Sequence, residues 1–419
     1  MHDFKFKNGE LHCEDVKISA IAQHVGTPCY IYSHNTLVDH FTKIKKAFAE
    51  INPIICYAMK ANDNLAVLKT LANEGAGFDI VSGGELRKAL KVKADPKKIV
   101  FASVGKTEEE INRALKAGIL LFNVESLPEL EELNRIAKAH GKKPNVALRV
   151  NPDVEAATHA KITTGTLKNK FGIDLTTARK IYTNAKKYPH VDICGLHVHI
   201  GSQITTGQPF INALRKVLLF IESLRQEHNV QLKYLDIGGG LGIIYKDEKP
   251  QTAKAFAQAV LPVLKQCGLQ IIMEPGRFIA GNAGIFVTKV LYQKDNGFKK
   301  FLIVDGGMND LMRPSLYDAY HEIVPVKKTS AKKIKVDVVG PICESGDYFA
   351  KDRMLPNLNK NELLAIMSAG AYGYVMSSNY NVRGRGPEIL VKGKEFAVTN
   401  KREAFEDLIK GESIPKFLT

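Results

Sequence analysis

Lys60 stands at the end of an apolar, β-prone run, Ile54-Ile55-Cys56-Tyr57-Ala58-Met59. The Asn62-Asp63-Asn64 stretch that follows offers N-cap residues for a helix through Leu65, Val67, Leu68 and Leu71. A strongly hydrated ammonium is uncommon at the tip of a buried strand. If it is buried, its pKa falls, and the neutral amine becomes a nucleophile able to form a Schiff base with a carbonyl. On base rates a solvated loop lysine is the commoner outcome. The case for chemistry therefore depends on what the rest of the chain sets beside Lys60.

Three other stretches carry chemistry. Gly238-Gly239-Gly240-Leu241-Gly242 follows the apolar Tyr234-Leu235-Asp236-Ile237. Glycines so close together let backbone N–H groups approach a ligand and cup an anion, with a plain tight turn as the alternative. The pattern is not GxGxxG, so a dinucleotide fingerprint is excluded. Gly105-Lys106-Thr107 resembles the end of a P-loop, but the glycine that motif needs is Val100, and the motif is rejected. His197-Val198-His199 puts two histidines on one strand face. The pair could begin a metal site in a barrel hydrolase, but no other strand end adds a histidine. A flat-stacking role on a cofactor ring suits His199, and a satisfied core histidine suits His197 better. Ser202, in the polar loop after His199, is a phosphate ligand candidate. Glu274-Pro275-Gly276-Arg277 closes another apolar run. Glu274 either pairs with Arg277 or holds the protonated nitrogen of a pyridinium ring, the partner role that a Schiff-base lysine calls for.

These residues need elements to hold them. Apolar runs at 54–59, 78–81, 99–102, 120–124, 146–150, 193–200, 232–237 and 271–273 alternate with helical patterns at 65–74, 84–91, 107–117, 127–140, 175–187, 210–227 and 252–267. Most runs are continuously apolar, as strands buried on both faces must be. Eight such strands alternating with helices predict an α/β fold, a (β/α)8 TIM-type barrel, with a doubly wound sheet as the alternative. In a barrel the active residues gather at the C-terminal strand ends. Those ends carry Lys60, Asp79 with Ser82, Ser103, Asn123 with Glu125, Arg149, the two histidines, the glycine run and Glu274 with Arg277. Residues 151–174 form an unusually long connection, read as a flap over them. Residues 1–33 read as short strands. After about residue 280, Gly- and Pro-punctuated strands at 286–292, 301–304, 335–339, 363–368 and 394–399 replace the alternation, with no regular helix until 403–409. The expected organisation is a barrel over 28–279 and a mainly β second domain built from 1–27 and 280–419.

Composition bounds the remaining options. The net charge of +15 is spread along the chain, its densest lysine clusters being pairs, so a basic surface drawing in an anionic substrate is expected rather than a nucleic-acid interface. Six scattered cysteines without CxxC spacing argue against a disulfide framework or zinc site and for a reducing compartment. The polar residues 1–15 do not read as a signal peptide, and no apolar run approaches a membrane span, so a cytoplasmic location is expected.

Taken together, Tyr57-Ala58-x-Lys60-Ala61-Asn62, His197-x-His199-Ile200-Gly201-Ser202-Gln203, Gly238-Gly239-Gly240 and Glu274-Pro275-Gly276-Arg277 resemble the alanine-racemase-like pyridoxal-phosphate decarboxylases. Three later motifs narrow the resemblance to the diaminopimelate decarboxylase family. They are Asp305 to Tyr317 with Met308-Asn309-Asp310-Leu311 and Arg313-Pro314; Pro341-Ile342-Cys343-Glu344-Ser345-Gly346-Asp347; and Gly370-Ala371-Tyr372-Gly373-Tyr374 with Ser377-Ser378-Asn379-Tyr380-Asn381. The resemblance covers about residues 27–390. It implies decarboxylation of meso-2,6-diaminopimelate to L-lysine and CO2, the last step of lysine synthesis, with pyridoxal 5'-phosphate as cofactor and no metal. A sister decarboxylase for ornithine, arginine or carboxynorspermidine is the alternative. By resemblance Lys60 carries the cofactor and His199 stacks on its ring. Gly238, Gly239, Gly240, Gly276, Ser202 and Tyr372 hold its phosphate end, with Arg277 beside them, and Glu274 binds its ring nitrogen. Arg277, Arg313 and Tyr317, with Tyr372 nearby, grip the substrate's distal carboxylate. Cys343, the proton donor, and Glu344, which holds the distal ammonium, come from the other subunit of a homodimer. Two arginines and a glutamate match a distal carboxylate and ammonium; ornithine would leave the arginines unpaired.

Overall fold

A computed structural model describes residues 2–153 and 170–418. The chain divides into two compact units, Leu37–Ile279 and Met1–Thr36 with Ala280–Thr419.

The first unit is a closed barrel of eight parallel strands. In chain order they are Ile54–Ala58, Gly77–Ile80, Ile99–Phe101, Leu121–Val124, Asn145–Arg149, Asp192–His197, Tyr234–Asp236 and Gln270–Met273. Each expected apolar run holds one, and the expected helices lie between them. The run at 193–200 is shorter as a strand, since it ends at His197. The cap reading after Lys60 holds: the Asn64 side chain accepts from the Ala66 N–H at 2.9 Å. Gly105-Lys106-Thr107 is a helix start, with Thr107 and Glu110 forming a capping box.

Strand period two sets the barrel interior. Cys56, Val100, Leu121, Ala147 and Ile272 form one apolar cluster, with Ile54 and Tyr234 packed against it. Two residues further along the strands the same face carries Asn123, Arg149, Asp236 and Glu274, joined by Asp79 and His197. All six are buried. A dry lower layer thus supports a charged upper one at the C-terminal strand ends.

The second unit holds a nine-stranded sheet ordered Tyr348–Pro356, Lys333–Val339, Lys300–Val304, Gly284–Asp295, Cys29–Ser33, Glu388–Lys392 and Glu395–Asn400, with Leu363–Ile366 and Ile323–Pro325 branching from Gly284–Asp295. Phe4–Lys7, Glu10–Cys13 and Val16–Lys17 form a separate three-stranded sheet. Residues 1–33 are not strands alone, because Ile18–Val25 is a helix that buries Ile18, Ile21 and Ala22. Strands at Ile323–Pro325, Tyr348–Pro356 and Glu388–Lys392 were not expected.

Of the long connection at 151–174, residues 154–169 lie outside the described residues, and the flap reading lies there with them. Its two ends are held together: Asn151 N–H donates to Ile173 O and Ile173 N–H to Arg149 O, both at 2.9 Å.

Candidate active site

Lys60 sits in a 3-10 turn, Met59–Ala61, directly after the first barrel strand. Its Nζ donates to Asp79 Oδ2 at 2.7 Å. The Lys60 side chain is 36% exposed while that of Asp79 is fully buried, so the lysine is neither a loop residue in water nor an isolated buried amine. It is anchored from below by a carboxylate. Burial first, and the nearby Glu274 charge next, push the Asp79 carboxyl up to about 7 against the pull of Lys60.

Glu274 lies at the floor of the same barrel end. It does not turn to Arg277. Its Oε1 accepts from Asn123 Nδ2 at 3.3 Å, and its Oε2 is 3.6 Å from His197 Nε2. The same Asn123 Nδ2 donates to Asp236 Oδ2 at 3.0 Å, and Asp236 Oδ1 accepts from the Gly238 N–H at 3.0 Å. Burial pushes Asp236 well up, and the neighbouring Glu274 charge adds to this. Burial acts against the Glu274 charge as well, but His197, Lys60 and a hydrogen bond from Asp236 outweigh it and hold that carboxyl well below the usual range. One anion, Glu274, is thereby selected from two touching carboxyls.

His197 is not the satisfied core histidine expected. It is buried, and among the described residues neither ring nitrogen has a hydrogen-bond partner. Desolvation lowers its pKa, against the opposing pull of the Glu274 charge. His199 is half-buried; its Nδ1 accepts from the Gly239 N–H at 3.2 Å. Burial and the charges of Arg149 and Lys60 hold His199 neutral, which suits a ring that stacks rather than donates a proton. His197, Asp236 and Glu274 bring ligand atoms within 4.8 Å of one another. His199, the other half of the HxH pair, is not in that group, and both Asp236 oxygens are already bonded.

The glycine run is a close-approach site. Gly238 and Gly240 have φ of 67° and 106°, in the left-handed region. A Cβ at Gly239 would lie 2.1 Å from Glu274 O, and at Gly240 2.4 Å from Gly201 O. The loops after the sixth, seventh, eighth and first strands are laced together: Ile204 N–H to Gly240 O at 2.8 Å, Glu274 N–H to Gly238 O at 2.8 Å and Ala58 N–H to Pro275 O at 3.3 Å. Arg277 donates to Ser202 Oγ at 2.9 Å and to Tyr245 Oη at 2.7 Å, which sets Ser202 and Arg277 side by side. Gly276 packs tightly, since a Cβ there would be 3.1 Å from Ala58 and Ala61.

The barrel unit thus gathers Lys60, His199, Ser202, Gly238, Gly239, Gly240, Glu274, Gly276 and Arg277 at one end. Its polar groups fit pyridoxal phosphate. There is an anchored lysine, a buried carboxylate held ionised, polar atoms on Asp79 and Asn123 that have no partner among the described residues, and a glycine cradle open only to backbone-close approach.

The β unit carries the rest and is described by itself. Arg313 is buried; its Nε–H donates to His321 Nε2 at 3.3 Å, and the His321 Nδ1–H then donates to Met367 O at 2.8 Å. The Arg313 guanidinium lies 5.8 Å from the Tyr317 ring centre. Ser315 Oγ donates to Gly346 O at 2.6 Å, and Asp347 accepts from the Met308 and Ile342 N–H groups at 2.6 Å each, so the Arg313–Tyr317 helix and the Cys343-Glu344 loop are one construction. Cys343 and Glu344 are exposed, and all six cysteines are free. A buried core cysteine, the ordinary reading of residue 343, is therefore excluded. Tyr372 is half-buried, with φ of 56°.

Sequence reasoning named Asp79 and Asn123 as strand ends without a partner, and did not assign Asp236 or Tyr245. Asp236 left one signal: a lone charge inside an apolar run, two residues before the glycines.

The pyridoxal-dependent decarboxylase, pyridoxal binding domain family matches residues 34–281. The diaminopimelate decarboxylase of Aquifex aeolicus is 48% identical over 97% of this chain and 96% of its own. The M. jannaschii diaminopimelate decarboxylase in co-complex with L-lysine superposes with a TM-score of 0.95 at 38% identity, covering 100% of both chains. The Helicobacter pylori enzyme complexed with L-lysine does so at 0.90 and 42%, covering 94% and 98%. With these likenesses running along nearly its whole length, the chain belongs to the diaminopimelate decarboxylase family of pyridoxal-phosphate-dependent decarboxylases.

Proposed function

We propose that the chain converts meso-2,6-diaminopimelate to L-lysine and CO2. The observation that carries this reading is near-full-length identity to diaminopimelate decarboxylases, over a barrel end that gathers Lys60, Glu274 and the glycine cradle. Two related structures hold L-lysine, the compound this reaction would release. When bound, pyridoxal phosphate supplies the electron sink for the carbanion left as CO2 departs.

The chain's own residues supply the rest. Lys60, steered by Asp79, is the attachment point. Glu274, kept ionised, favours the protonated ring nitrogen; an arginine there would not. His199 covers a ring face, and Gly238, Gly239, Gly240, Gly276, Ser202 and Tyr372 receive the phosphate with Arg277 beside them. Arg277, Arg313 and Tyr317 bind the distal carboxylate as charge-assisted pairs, with Tyr372 nearby. Glu344 binds the distal ammonium, and the Cys343 thiol gives its proton to the carbon that lost CO2. We assign Cys343 and Glu344 to the site of a second copy in a homodimer; their exposure in the single chain supports this. The six free cysteines fit a reducing compartment, and we place the enzyme in the cytoplasm. Among the described residues no helix is long and apolar enough to cross a membrane.

The test is incubation of the holoenzyme with meso-diaminopimelate, scoring CO2 and lysine. Turnover of ornithine or arginine with none of diaminopimelate would replace this reading with the sister decarboxylase.

A further inference from the structure

The Ser377-Ser378-Asn379-Tyr380-Asn381 stretch has no role in the chemistry above, yet its side chains end on the two residues that have one. Tyr380 Oη donates to Glu344 Oε1 at 2.6 Å. Asn381 Oδ1 accepts from the backbone N–H of Cys343 at 3.1 Å. The loop is fixed from behind: Ser378 N–H donates to Asn309 O at 2.8 Å, and Asn379 Nδ2 donates to Arg383 O at 3.1 Å and to Glu403 Oε2 at 2.6 Å. All these residues belong to the β unit.

We propose that Tyr380 and Asn381 are positioning residues for the reaction: Tyr380 aims the Glu344 carboxylate at the substrate's distal ammonium, and Asn381 sets the Cys343 backbone, and with it the thiol's reach to the reacting carbon. The proposal rests on the roles given to Glu344 and Cys343 above.

The backbone supports it. Asn381 has φ 56° and ψ 29°, and Val382 after it has φ 55°. Asparagine tolerates the left-handed region, but a β-branched valine there is strained, and such strain persists only where surrounding bonds over-determine the loop. Val382 is also 66% exposed, so burial of its side chain does not hold it there. The bonds to Glu344 and Cys343 are of the kind that can. The Glu344 carboxylate pushes the Tyr380 phenol up, so the hydroxyl remains a donor across the neutral range. A glutamate on an exposed loop has several rotamers, and one charge-assisted hydrogen bond selects among them. An oxygen accepting the Cys343 N–H fixes that peptide plane and so the direction in which the side chain leaves it.

The test is steady-state kinetics of the holoenzyme on meso-diaminopimelate, with cofactor absorbance as the check that each variant is folded and loaded. Tyr380→Phe removes only the hydroxyl, and we expect KM to rise about ten-fold with kcat nearly unchanged. Asn381→Gly keeps the left-handed backbone at no cost but loses the acceptor, and we expect kcat to fall about ten-fold. Asn381→Asp restores an acceptor of the same shape and is expected to return kcat toward wild type, which a merely structural loop would not require. Glu344→Gln separates the two levels of the argument. If it raises KM while Tyr380→Phe does not, the Tyr380 role is overturned and the Glu344 role stands. If it leaves KM unchanged, both fall together. A wild-type kcat for Asn381→Gly, or an Asn381→Asp no better than the glycine variant, overturns the Asn381 role.

Discussion

Lys60 and Asp79 face each other at 2.7 Å, and that pair explains why a lysine can wait at a strand end without being lost to solvent. Lys60→Ala is expected to abolish the absorbance of bound cofactor at the visible edge and to cut decarboxylation by at least about a thousand-fold, with the fold retained by circular dichroism. A retained absorbance band would remove Lys60 as the attachment point. A second carboxyl near Lys60 yields a pH prediction. Glu85 accepts from the Val81 N–H at 2.6 Å, and burial, only partly offset by that bond, raises its pKa from 4.5 to about 7. A carboxyl with a raised folded-state pKa adds stability that is fully present below its unfolded pKa and is lost as pH rises through the folded one. The apoprotein should therefore lose stability between roughly pH 4.5 and 7, and Glu85→Gln should flatten that slope by up to roughly 3 kcal/mol, read from urea midpoints across that window. An unchanged slope would show that Glu85 ionises freely in the folded chain. Lys60 and Glu274 were legible because each is a charge ending an apolar run. The partners of Asp79, Asn123 and Asp236 were not, because carboxyls and amides from different strands meet only when the barrel closes.

At the scale of elements, the barrel was legible and much of the β unit was not, for a physical reason. Strands buried on both faces leave continuous apolar runs, whereas Tyr348–Pro356 faces water on one side and carries Lys351, Asp352 and Arg353 at its middle, with Asp352 at φ 51°. The Ile18–Val25 helix was missed because it is short and has no side-chain cap at Lys17. The glycine run shows what an element contributes to the site. A Cβ at Gly239 would meet the Glu274 carbonyl oxygen at 2.1 Å, so Gly239→Ala must push the seventh strand's loop off the eighth strand's end. We expect Gly239→Ala to weaken cofactor affinity by at least about ten-fold and to lower the thermal midpoint by several degrees. Gly105→Ala, where a Cβ meets nothing within 4 Å, is expected to change neither. Cofactor titration followed by absorbance compares the two, and equal behaviour would mean that the loop yields freely and is no cradle.

For the whole molecule, the loop to which we assign the proton donor is exposed in the single chain. Cys343, Glu344, Tyr380 and Val382 are all exposed, an unusual condition for a loop we assign to a site where water is kept out. The assignment to a second copy's site resolves this and can be tested without a structure. In a symmetric dimer with shared sites, each site combines Lys60 of one copy with Cys343 of the other. Lys60→Ala and Cys343→Ala proteins are each expected to be nearly inactive alone. When they are mixed in equal amounts and allowed to exchange subunits, half of the dimers become mixed. In a mixed dimer one site receives both defects and the other receives neither, so activity should recover to about a quarter of wild type. If Lys60 and Cys343 instead served the same site from one chain, every site in every mixture would carry a defect, and no recovery would appear at any ratio. Dilution adds a second handle. If the mixed sites form across an interface, recovered activity must fall as protein concentration drops below the dimer's dissociation constant, in step with the loss of dimer in sedimentation.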